Sequence, residues 1–422
     1  MDGRQRQKRR ADFELNSDFI STMPAEIIEN ILVRLPIKEA VRTSILSSKW
    51  KSLWASISDL VFTEKISESE LIRSVDNVLR LHQGSILKFE LHSYELTCEE
   101  TINRWLLFLS KNGLKDLRLS FNIYKDCKVP SSLFSCNKLE QLEISGFSAC
   151  TISAPQCFQG LNLLRNLTLG NCHLVGITIE KFISGCPLLE SLTLFEFVEH
   201  GCLAIRAHNL THLDLLGITC TDLLLETPKL THASIHFDHM PHGVLKFGSA
   251  SDGSNNRKLL RSIGALSNIE ELDIGSKFFR YLASGPIPEK LPVTFYHLKK
   301  ISIYLDGSGK GVDTALCIFR KAPNLNTLCL TVPRQSIWEE QRITSISFLE
   351  RLEVVVILDF EETVSMLGFA KFILSAAPQL EKLVIDERDI NNLDLGMGFR
   401  MKLASLPRLS SKAVIVFDRS SY

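Results

Sequence analysis

The chain has 422 residues, 45% of them hydrophobic and 23% charged, which is the composition of an ordinary folded protein. Lysine plus arginine and aspartate plus glutamate each number 48, so no overall positive charge attracts nucleic acid or an anionic membrane. The longest uninterrupted aliphatic run, Val354 to Leu358, is far shorter than the roughly 20 residues of a membrane-spanning helix. We therefore expect neither a nucleic-acid partner nor a membrane partner.

The N-terminus, MDGRQRQKRR, is basic and polar and lacks the apolar centre of a secretory signal. Its cations are either a nuclear-localisation cluster or part of a solvated, disordered tail: Arg4, Arg6, Lys8, Arg9 and Arg10. Eleven cysteines without a signal peptide indicate reduced thiols, and no CxxC motif suggests a zinc site. The chain is therefore expected in the nucleus, the cytoplasm or both.

Residues 18–60 are predicted to form a small unit of three helices. Pro24 suits the first turn of a helix, Pro36 ends that helix, and Ser47 can cap the third one. Apolar residues recur at helical spacing: Ile27, Ile28, Ile31, Leu32, Leu35, Ala40, Val41, Ile45, Leu46, Trp50, Leu53 and Trp54. A unit this short cannot bury all of these side chains. We therefore expect two tryptophans and a ridge of isoleucine and leucine to be partly exposed. Such a patch either docks a partner or packs on the next domain.

This segment resembles the F-box, and its run AVRTSILSSKW is similar to that of plant F-box proteins. The matching positions include Ser21, Met23-Pro24, Glu26 to Ile28, Ile31-Leu32, Leu35-Pro36, Lys38, Ala40 to Ser44, Leu46-Ser47, Lys49-Trp50 and Leu53-Trp54. Met23 stands where the family usually has leucine, and Ala25 where it often has aspartate. The resemblance implies binding to a Skp-type linker protein, and through it to a cullin. The implied contact residues are Pro24, Ile28, Leu32, Leu35, Leu46, Trp50 and Leu53.

A pattern L-x-x-L-x-L returns along the rest of the chain, with most copies roughly 20 to 31 residues apart. The copies begin at Leu114, Leu139, Leu164, Leu189, Leu210, Leu230, Ile269, Leu298, Leu325, Leu349 and Leu380, with a weaker first member at Ile86. This is the period of leucine-rich repeats, in which each unit supplies one strand and returns outside it, often through a helix such as Asp313 to Lys321. The prolines two residues before a copy are predicted to end the returning helix: Pro187, Pro228, Pro323 and Pro378.

The segment FLERLEVVVILDF, followed by LGFAKFILSAAPQLEKLVI, resembles the FBD region that ends many plant F-box/repeat proteins. It is predicted to form a strand, a helix from about Leu367 to Ala376 and a second strand, which would close the last repeat. We thus predict an α/β fold, with parallel repeat strands inside and helices outside. The predicted domains are a basic disordered tail at 1–17, an F-box at 18–60, leucine-rich repeats at 61–340 and an FBD-like C-terminal cap at 341–422.

Residues between the leucines of each strand face out of the core and form three columns. The first column is Asp116, Gln141, Asn166, Ser191, His212, His232, Glu271 and Lys300. The second is Arg118, Glu143, Thr168, Thr193, Asp214, Ser234, Asp273 and Ser302, and the third is Ser120, Ser145, Gly170, Phe195, Leu216, His236, Gly275 and Tyr304. This mixed polar and aromatic surface suits a protein better than a phosphate backbone. Target contacts are expected from Phe195, His212, Asp214, His232, His236 and Tyr304.

Three patterns could indicate chemistry, but none fits well. The first is a possible metal cluster whose spacing fits no zinc pattern: His232, His236, Asp238, His239 and His242. The second is DGSGKG, Asp306 to Gly311, which lacks the first glycine and the final serine or threonine of a phosphate loop. The third is the set of cysteines, none of which is flanked by a motif for a nucleophile. We predict no metal, no cofactor and no catalytic residue.

Together the resemblances imply a substrate-recognition adaptor of a Skp–cullin–F-box ubiquitin ligase, a subunit without covalent chemistry of its own. Tethering the target near the ubiquitin-loaded enzyme would make lysine attack effectively intramolecular. One alternative is a ligand-sensing leucine-rich-repeat receptor, with a pocket lined by the insertions at 237–268 and 278–296. Another is a scaffold that binds the linker and ubiquitinates nothing. The sequence does not name the target.

Overall fold

The computed structural model describes residues 19–94, 96, 98–121, 127–199, 201–220, 222–237, 263–284, 291, 293–305, 309–331, 349–358, 363–386 and 396–418. The chain divides into two compact units, residues 1–164 with 174–176 and residues 165–173 with 177–422. The predicted tail at 1–17 lies outside the described residues, and so do Asp238, His239 and His242. Most of the insertion at 237–268 lies outside them as well.

The first unit begins with a module of short helices, α1 Phe19–Thr22, α2 Ala25–Leu32, α3 Ile37–Arg42 and α4 Ser48–Leu53, with 3-10 turns at Thr43–Ile45 and Trp54–Ser56. Pro24 and Pro36 directly precede α2 and α3, where a missing N–H costs no hydrogen bond. Ser47 accepts a hydrogen bond from the backbone N–H of Trp50 at 3.5 Å, which is the predicted cap. Helix α1 was not predicted.

The remainder of the first unit is built from parallel strands and outer helices. The strands β1 Asp59–Phe62, β2 Lys88–Ser93, β3 Asp116–Phe121 and β5 Gln141–Ser153 lie side by side, and β4 Cys127–Val129 pairs with the end of β5. The helical segments are α5 Glu68–Leu81, α6 Glu99–Lys111 and a 3-10 turn at Ser131–Ser135. Strand β1 is a repeat strand that the pattern missed, since Leu60 pairs with Phe89 and both are buried.

The second unit continues the same plan. Its strands are β6 Asn166–Val175, β7 Ser191–Phe195, β9 His212–Leu216, β11 His232–His236, β12 Glu271–Ile274, β13 Lys300–Tyr304, β14 Thr327–Thr331, β15 Val354–Leu358, β16 Lys382–Asp386 and β17 Val414–Asp418, paired in that order and all parallel. Strands β8 Cys202–Arg206 and β10 Asp222–Glu226 form a separate parallel pair. The helices are α7 Ile179–Ser184, α8 Ser276–Ser284, α9 Gly309–Arg320, α10 Val364–Ala376 and α11 Met397–Ala404.

One register runs through the paired strands of each unit. In the second unit His212 pairs with His232, His232 with Glu271, and Glu271 with Lys300, so the predicted columns are real rows of neighbours. The leucines of the pattern point the other way, and Leu213 and Leu215 have no exposed surface. The predicted fold class, a helical module followed by leucine-rich repeats with parallel strands, is confirmed. No helix in the described ranges is long and apolar enough to cross a membrane.

Asparagine side chains join consecutive repeats at the start of three strands. Each donates an Nδ2 hydrogen bond to a backbone carbonyl at the equivalent place in the preceding repeat: Asn209 to Pro187 at 2.9 Å, Asn268 to Pro228 at 2.8 Å and Asn324 to Tyr296 at 2.7 Å. These carbonyls precede a turn and would otherwise need water as a donor. The asparagines thus hold the return of one repeat against the entry of the next.

Two details of the predicted repeats are wrong. The register pairs Val354 with Thr327, so this repeat is Leu352-Val355-Ile357 and the copy beginning at Leu349 is three residues out of phase. Val355 and Ile357 are fully buried, and the uniform run VVVIL hides this phase from a pattern search. The segment before Pro228 is strand β10, not a returning helix. Pro187, Pro323 and Pro378 do follow helices.

The C-terminal region has the predicted strand, helix and strand, formed by β15, α10 and β16. Helix α10 starts at Val364, slightly before the predicted position. Beyond them α11 and β17 add a further strand in the same register, with Ile385 beside Phe417. The end of the chain therefore extends the sheet by one more strand.

Adjacent residues of β9 test the direction in which the strand faces. Leu215→Ala removes a fully buried side chain and should lower the free energy of unfolding by about 2–5 kcal/mol. Leu216→Ala, at a side chain that is 38% exposed, should cost about 1 kcal/mol or less. Urea unfolding followed by circular dichroism measures both. A larger loss at Leu216 would mean that the strand faces the opposite way.

Candidate interaction surfaces

The interior of the helical module is closed by its own side chains. Ile28 and Leu32 have no exposed surface, and Trp50 is 4% exposed. The indole Nε1 of Trp50 donates a hydrogen bond of 3.0 Å to the carbonyl of Ile20, and Lys49 Nζ donates to the carbonyl of Met23. The short helix α1 and the turn after it therefore cover α4.

Seven large hydrophobic side chains on the outside of the same module are exposed, among exposed polar residues such as Glu26 and Glu29. These hydrophobic side chains and their exposed fractions are Phe19 72%, Ile20 44%, Ile27 48%, Ile31 36%, Val33 53%, Ile45 88% and Leu46 42%. Helix α2 carries two pairs at i, i+4 spacing, and Ile28 with Leu32 faces inward while Ile27 with Ile31 faces outward. We call this set of exposed side chains the module's outer face.

The predicted linker contacts divide between these two environments. Pro24 and Leu46 are exposed, Leu35 and Leu53 are half-buried, and the other three, Ile28, Leu32 and Trp50, lie in the interior. The prediction that both tryptophans stay partly exposed is wrong, because Trp50 is 4% and Trp54 is 6% exposed. Trp50 is covered through α1, which the sequence did not reveal. Ile45, the most exposed member of the outer face, was absent from the predicted contacts.

In the second unit, the outward side chains of β7, β9, β11, β12 and β13 form what we call the strand face. Its third row runs from Phe195 through Leu216 and His236 to Gly275 and Tyr304. The His236 ring lies against Gly275, where a Cβ would come within 2.9 Å of the ring's Cγ. The same ring meets the ring of Tyr304 edge-on, with centroids 5.5 Å apart. The absence of a side chain at Gly275 thus lets the rings of His236 and Tyr304 meet across it.

Phe195 is held in the same way at the other end of this row. A Cβ on Gly170 would lie 1.8 Å from Cζ of Phe195, so only glycine leaves room for the tip of the ring at the neighbouring strand. The structure therefore brings His236 and Tyr304 into direct contact. Phe195 lies two strands away from His236 in the same row, with Leu216 between them.

His212 and His232 form a stacked pair in the first row, with ring centroids 4.5 Å apart and planes inclined by 8°. Each Nδ1 lies 2.9 Å from the hydroxyl of the preceding threonine, Thr211 or Thr231. Those hydroxyls already donate their single proton to carbonyls, Thr211 to Glu190 at 3.0 Å and Thr231 to Thr211 at 3.1 Å. The threonine oxygens must therefore accept from Nδ1–H, which leaves each neutral imidazole with a bare Nε2 acceptor.

Carboxylates occupy the row beside the histidines. Asp214 accepts a hydrogen bond of 3.4 Å from Thr193, and Asp273 accepts one of 3.5 Å from Ser234, both of them long. Nε2 of His236 lies 3.1 Å from Oδ2 of Asp273, but among the described residues neither this nitrogen nor Oδ1 of Asp273 has a hydrogen-bond partner. Asp273 thus has one long hydrogen bond and the nearby ring of His236, which pairs with its charge only when that ring is protonated.

Glu271 and Lys300 complete the strand face. Glu271 lies 3.7 Å from the ammonium of Lys300 and 3.9 Å from Nε2 of His232. A depression of about 280 Å³ lies here, and its polar lining is Asp214, His232, Ser234, Glu271, Asp273, Lys300 and Ser302. The sequence analysis placed Glu271, Asp273 and Lys300 in the right columns but not among the expected target contacts. The sequence of one strand does not show which charged side chains on neighbouring strands lie beside a carboxylate.

The three sequence patterns that could indicate chemistry gain no support from the described residues. Among the described residues, no three histidine, cysteine or acidic side chains converge to hold a metal ion. Gly309, within the phosphate-loop-like segment, already begins helix α9, while Asp306 lies outside the described residues. The eleven cysteines are all thiols, and burial raises the pKa of Cys136 and of Cys220 to about 12. Such thiols are poor nucleophiles at neutral pH.

Comparison with known proteins agrees with these features. A model of the F-box domain matches residues 20–61, and the model described as FBD-associated F-box protein At5g56370, LRR repeats, matches residues 102–330. The F-box/FBD/LRR-repeat protein At1g13570 of Arabidopsis thaliana is 37% identical, over 95% of this chain and 98% of the relative. The FBD-associated F-box protein At5g56370 of the same plant is 24% identical, over 95% of this chain and 100% of the relative.

A helical F-box module followed by parallel repeat strands defines the class, an F-box protein with leucine-rich repeats. The chain belongs to the family of F-box proteins with FBD-associated leucine-rich repeats, whose relatives found here are plant proteins. Members of this family are typically non-catalytic adaptors.

The tautomer of the stacked histidines can be observed directly. Long-range 1H–15N spectra of the histidine-labelled protein, recorded at about pH 8, should show the neutral rings of His212 and His232 with their proton on Nδ1. Thr231→Val removes the acceptor of His232 alone, so its tautomer should shift towards Nε2–H while that of His212 stays unchanged. Protonation at Nε2 in the wild type would contradict the assignment of these hydrogen bonds.

Cysteine reactivity should follow burial. Iodoacetamide at about pH 8 should modify the exposed Cys157 and Cys202 quickly and leave Cys136 and Cys220 unmodified in the folded protein, because burial raises the pKa of these two thiols to about 12. Peptide mass spectrometry measures the modified fraction. Equal labelling in urea serves as the control, and rapid labelling of Cys136 in the native protein would contradict its buried position.

Proposed function

We propose that this chain is the substrate-recognition adaptor of a Skp–cullin–F-box ubiquitin ligase. In this role the module binds a Skp-type linker protein, and through it a cullin, while the repeats bind a target protein for ubiquitination. Membership of the F-box family supports the first half of the proposal. The outward rows of polar and aromatic side chains support the second half, because such mixed surfaces are typical of protein interfaces.

The observation that carries the proposal is the module's outer face. Single exposed hydrophobic residues are common on proteins, but the seven side chains of this face are exposed within fewer than thirty residues of sequence. Burying such a set against a partner is favourable by about 25 cal/mol per Å² of apolar surface. We therefore place the linker against Ile27, Ile31, Ile45 and Leu46 and their neighbours Pro24, Leu35 and Leu53.

The interior residues have a supporting role in this proposal. Ile28, Leu32 and Trp50 fix the spacing of the helices and so hold the outer face in shape. The adaptor itself performs no bond making or breaking. It raises the effective concentration of a target lysine near the ubiquitin-loaded enzyme, and this tethering is its contribution to the rate.

The proposed location is the nucleus or the cytoplasm. The chain carries eleven cysteines, all of them thiols in the structure, which suits a reducing compartment. The ligase complex in which we place the chain would work in those compartments.

The linker contact is tested by Ile45→Asp, which puts a charge on a side chain that is 88% exposed. Because the side chain is exposed, folding should be unaffected, whereas a buried unpaired charge at the interface should weaken binding to a plant Skp-type protein by about tenfold or more. Co-purification from a co-expression system, followed by calorimetric titration, measures the change. Normal binding by Ile45→Asp would place the linker elsewhere.

Val364→Asp is the matched control, since this side chain is 89% exposed on α10, outside the module. It introduces the same charge and should leave linker binding unchanged. Trp50→Ala is unsuitable for this test, because loss of a buried indole costs about 3–5 kcal/mol and would abolish binding through unfolding. Failure of the wild-type chain to bind any plant Skp-type protein would overturn the adaptor proposal.

A further inference from the structure

We propose that the strand face binds a polyproline II segment of the target that carries two arginines at the spacing Arg-x-x-Arg. The inference rests on the proposed function, because it names the chemistry of the target that the repeats would hold. Its support comes from charge, from the direction of the hydrogen bonds and from the spacing of the strands.

The charge of the depression on this face is negative. Three carboxylates, Asp214, Glu271 and Asp273, line it against the single ammonium of Lys300, which lies 3.7 Å from Glu271. Asp214 and Asp273 each accept one long hydrogen bond from a hydroxyl, and Nε2 of His236 lies 3.1 Å from Asp273 without forming a hydrogen bond to it. A hydroxyl donor at 3.4–3.5 Å compensates little of a carboxylate charge, so a cationic ligand gains more here than a neutral or anionic one.

The histidines add acceptors to the same surface. Because Thr211 and Thr231 fix the proton of each ring on Nδ1, the stacked His212 and His232 both present a bare Nε2 when neutral. The face therefore offers lone pairs from imidazoles and from carboxylates. Its complement is a group made of donors alone.

Arginine fits this description better than lysine. Guanidinium has only donors, arranged as a planar fork that matches a carboxylate, and its weakly hydrated plane stacks on aromatic rings. His232 lines the depression together with the carboxylates and stacks on His212, so these imidazoles provide such rings. Lysine would supply charge without the fork or the stacking plane.

Strand spacing sets the distance between the two arginines. Asp214 and Asp273 occupy the same row on β9 and β12, with Ser234 of β11 between them. Neighbouring strands lie about 4.8 Å apart, so the two carboxylates are separated by roughly 10 Å across the strands. A polyproline II segment rises about 3.1 Å per residue with three residues per turn, so residues i and i+3 point the same way about 9 Å apart.

The test uses the full-length chain and a fluorescein-labelled peptide, Gly-Pro-Arg-Pro-Pro-Arg-Pro-Gly, with fluorescence anisotropy at near-physiological salt. We expect saturable binding, and a loss of affinity of about tenfold or more when both arginines are replaced by the neutral isostere citrulline. A peptide with adjacent arginines, Gly-Pro-Pro-Arg-Arg-Pro-Pro-Gly, has the same charge. It should bind several-fold more weakly, because successive residues of a polyproline II helix point about 120° apart and the two arginines cannot both face the strands squarely.

The protein side is tested by Asp214→Asn/Asp273→Asn, which keeps the shape of both side chains and removes their charge. This variant should lose the preference for arginine over citrulline. Glu180→Gln/Glu226→Gln is the matched control, since it removes two carboxylates that pair with Arg206 on the return side of the repeats, and it should bind like wild type. His212→Phe/His232→Phe keeps the stacked rings and removes two acceptors, and should weaken binding several-fold.

Equal binding of the arginine and citrulline peptides, or unchanged binding by Asp214→Asn/Asp273→Asn, would overturn the proposal. Tighter binding of a Glu-substituted peptide, or of single-stranded DNA, would overturn it in favour of an anionic partner. Binding of the Skp-type linker is measured on the same preparation. Linker binding without arginine binding rejects this inference alone, whereas arginine binding without linker binding rejects the adaptor proposal and leaves the arginine site standing.

Discussion

Parallel pairing of successive repeat strands in one register is the constraint on which the rest of the repeat region depends. No repeat can bury its own apolar side, so each needs its neighbour to cover the leucines. A strand that slipped by one residue would turn Leu213 and Leu215 outward and bring Asp214 into the core. The cost of burying that carboxylate makes the register strict. The rows on the outer side are therefore as well defined as the core itself.

That strictness extends to polar groups beside the strands. Thr211 and Thr231 precede β9 and β11, and each donates to a carbonyl of the preceding repeat while accepting from its own histidine. The same hydroxyl thus ties one repeat to another and sets the proton of a ring on the strand face. The asparagines before Leu210, Ile269 and Leu325 join consecutive repeats in a similar way. Structural hydrogen bonds and surface chemistry are therefore connected in this protein.

The sequence is sufficient for features that depend on local pattern. The F-box segment, most repeat strands between Ile86 and Ile385 and the helix near Leu367 could be predicted, because period and composition define them. The errors arise where the pattern is degenerate or the partner is distant. Three successive valines in VVVIL fit several phases, and only pairing with β14 selects Val355. The sequence of the segment before Pro228 is compatible with a helix or a strand, and its pairing with β8 makes it strand β10.

The candidate surfaces show the same division. The spacing predicts that Ile27, Ile28, Ile31 and Leu32 are apolar positions of one helix. It does not show which pair faces inward, because that depends on where α4 packs against the helix. The column to which Asp273 belongs follows from the register, whereas its contacts depend on the geometry of His236 and Ser234. Proton positions on His212 and His232 depend on carbonyls one repeat away. A single sequence contains none of this information.

Separation of core and outward positions has a consequence for how a protein of this fold can change over evolution. Most outward residues are exposed or half-buried, so new specificities can arise by substitution there with little effect on folding, within about 0.5 kcal/mol each. Phe195 and His236 are exceptions, because each ring occupies the space left by a glycine, Gly170 or Gly275, on the adjacent strand. Substitution of either glycine would displace the ring beside it. These two pairs should therefore be inherited together, as fixed points in a surface that is otherwise free to diversify.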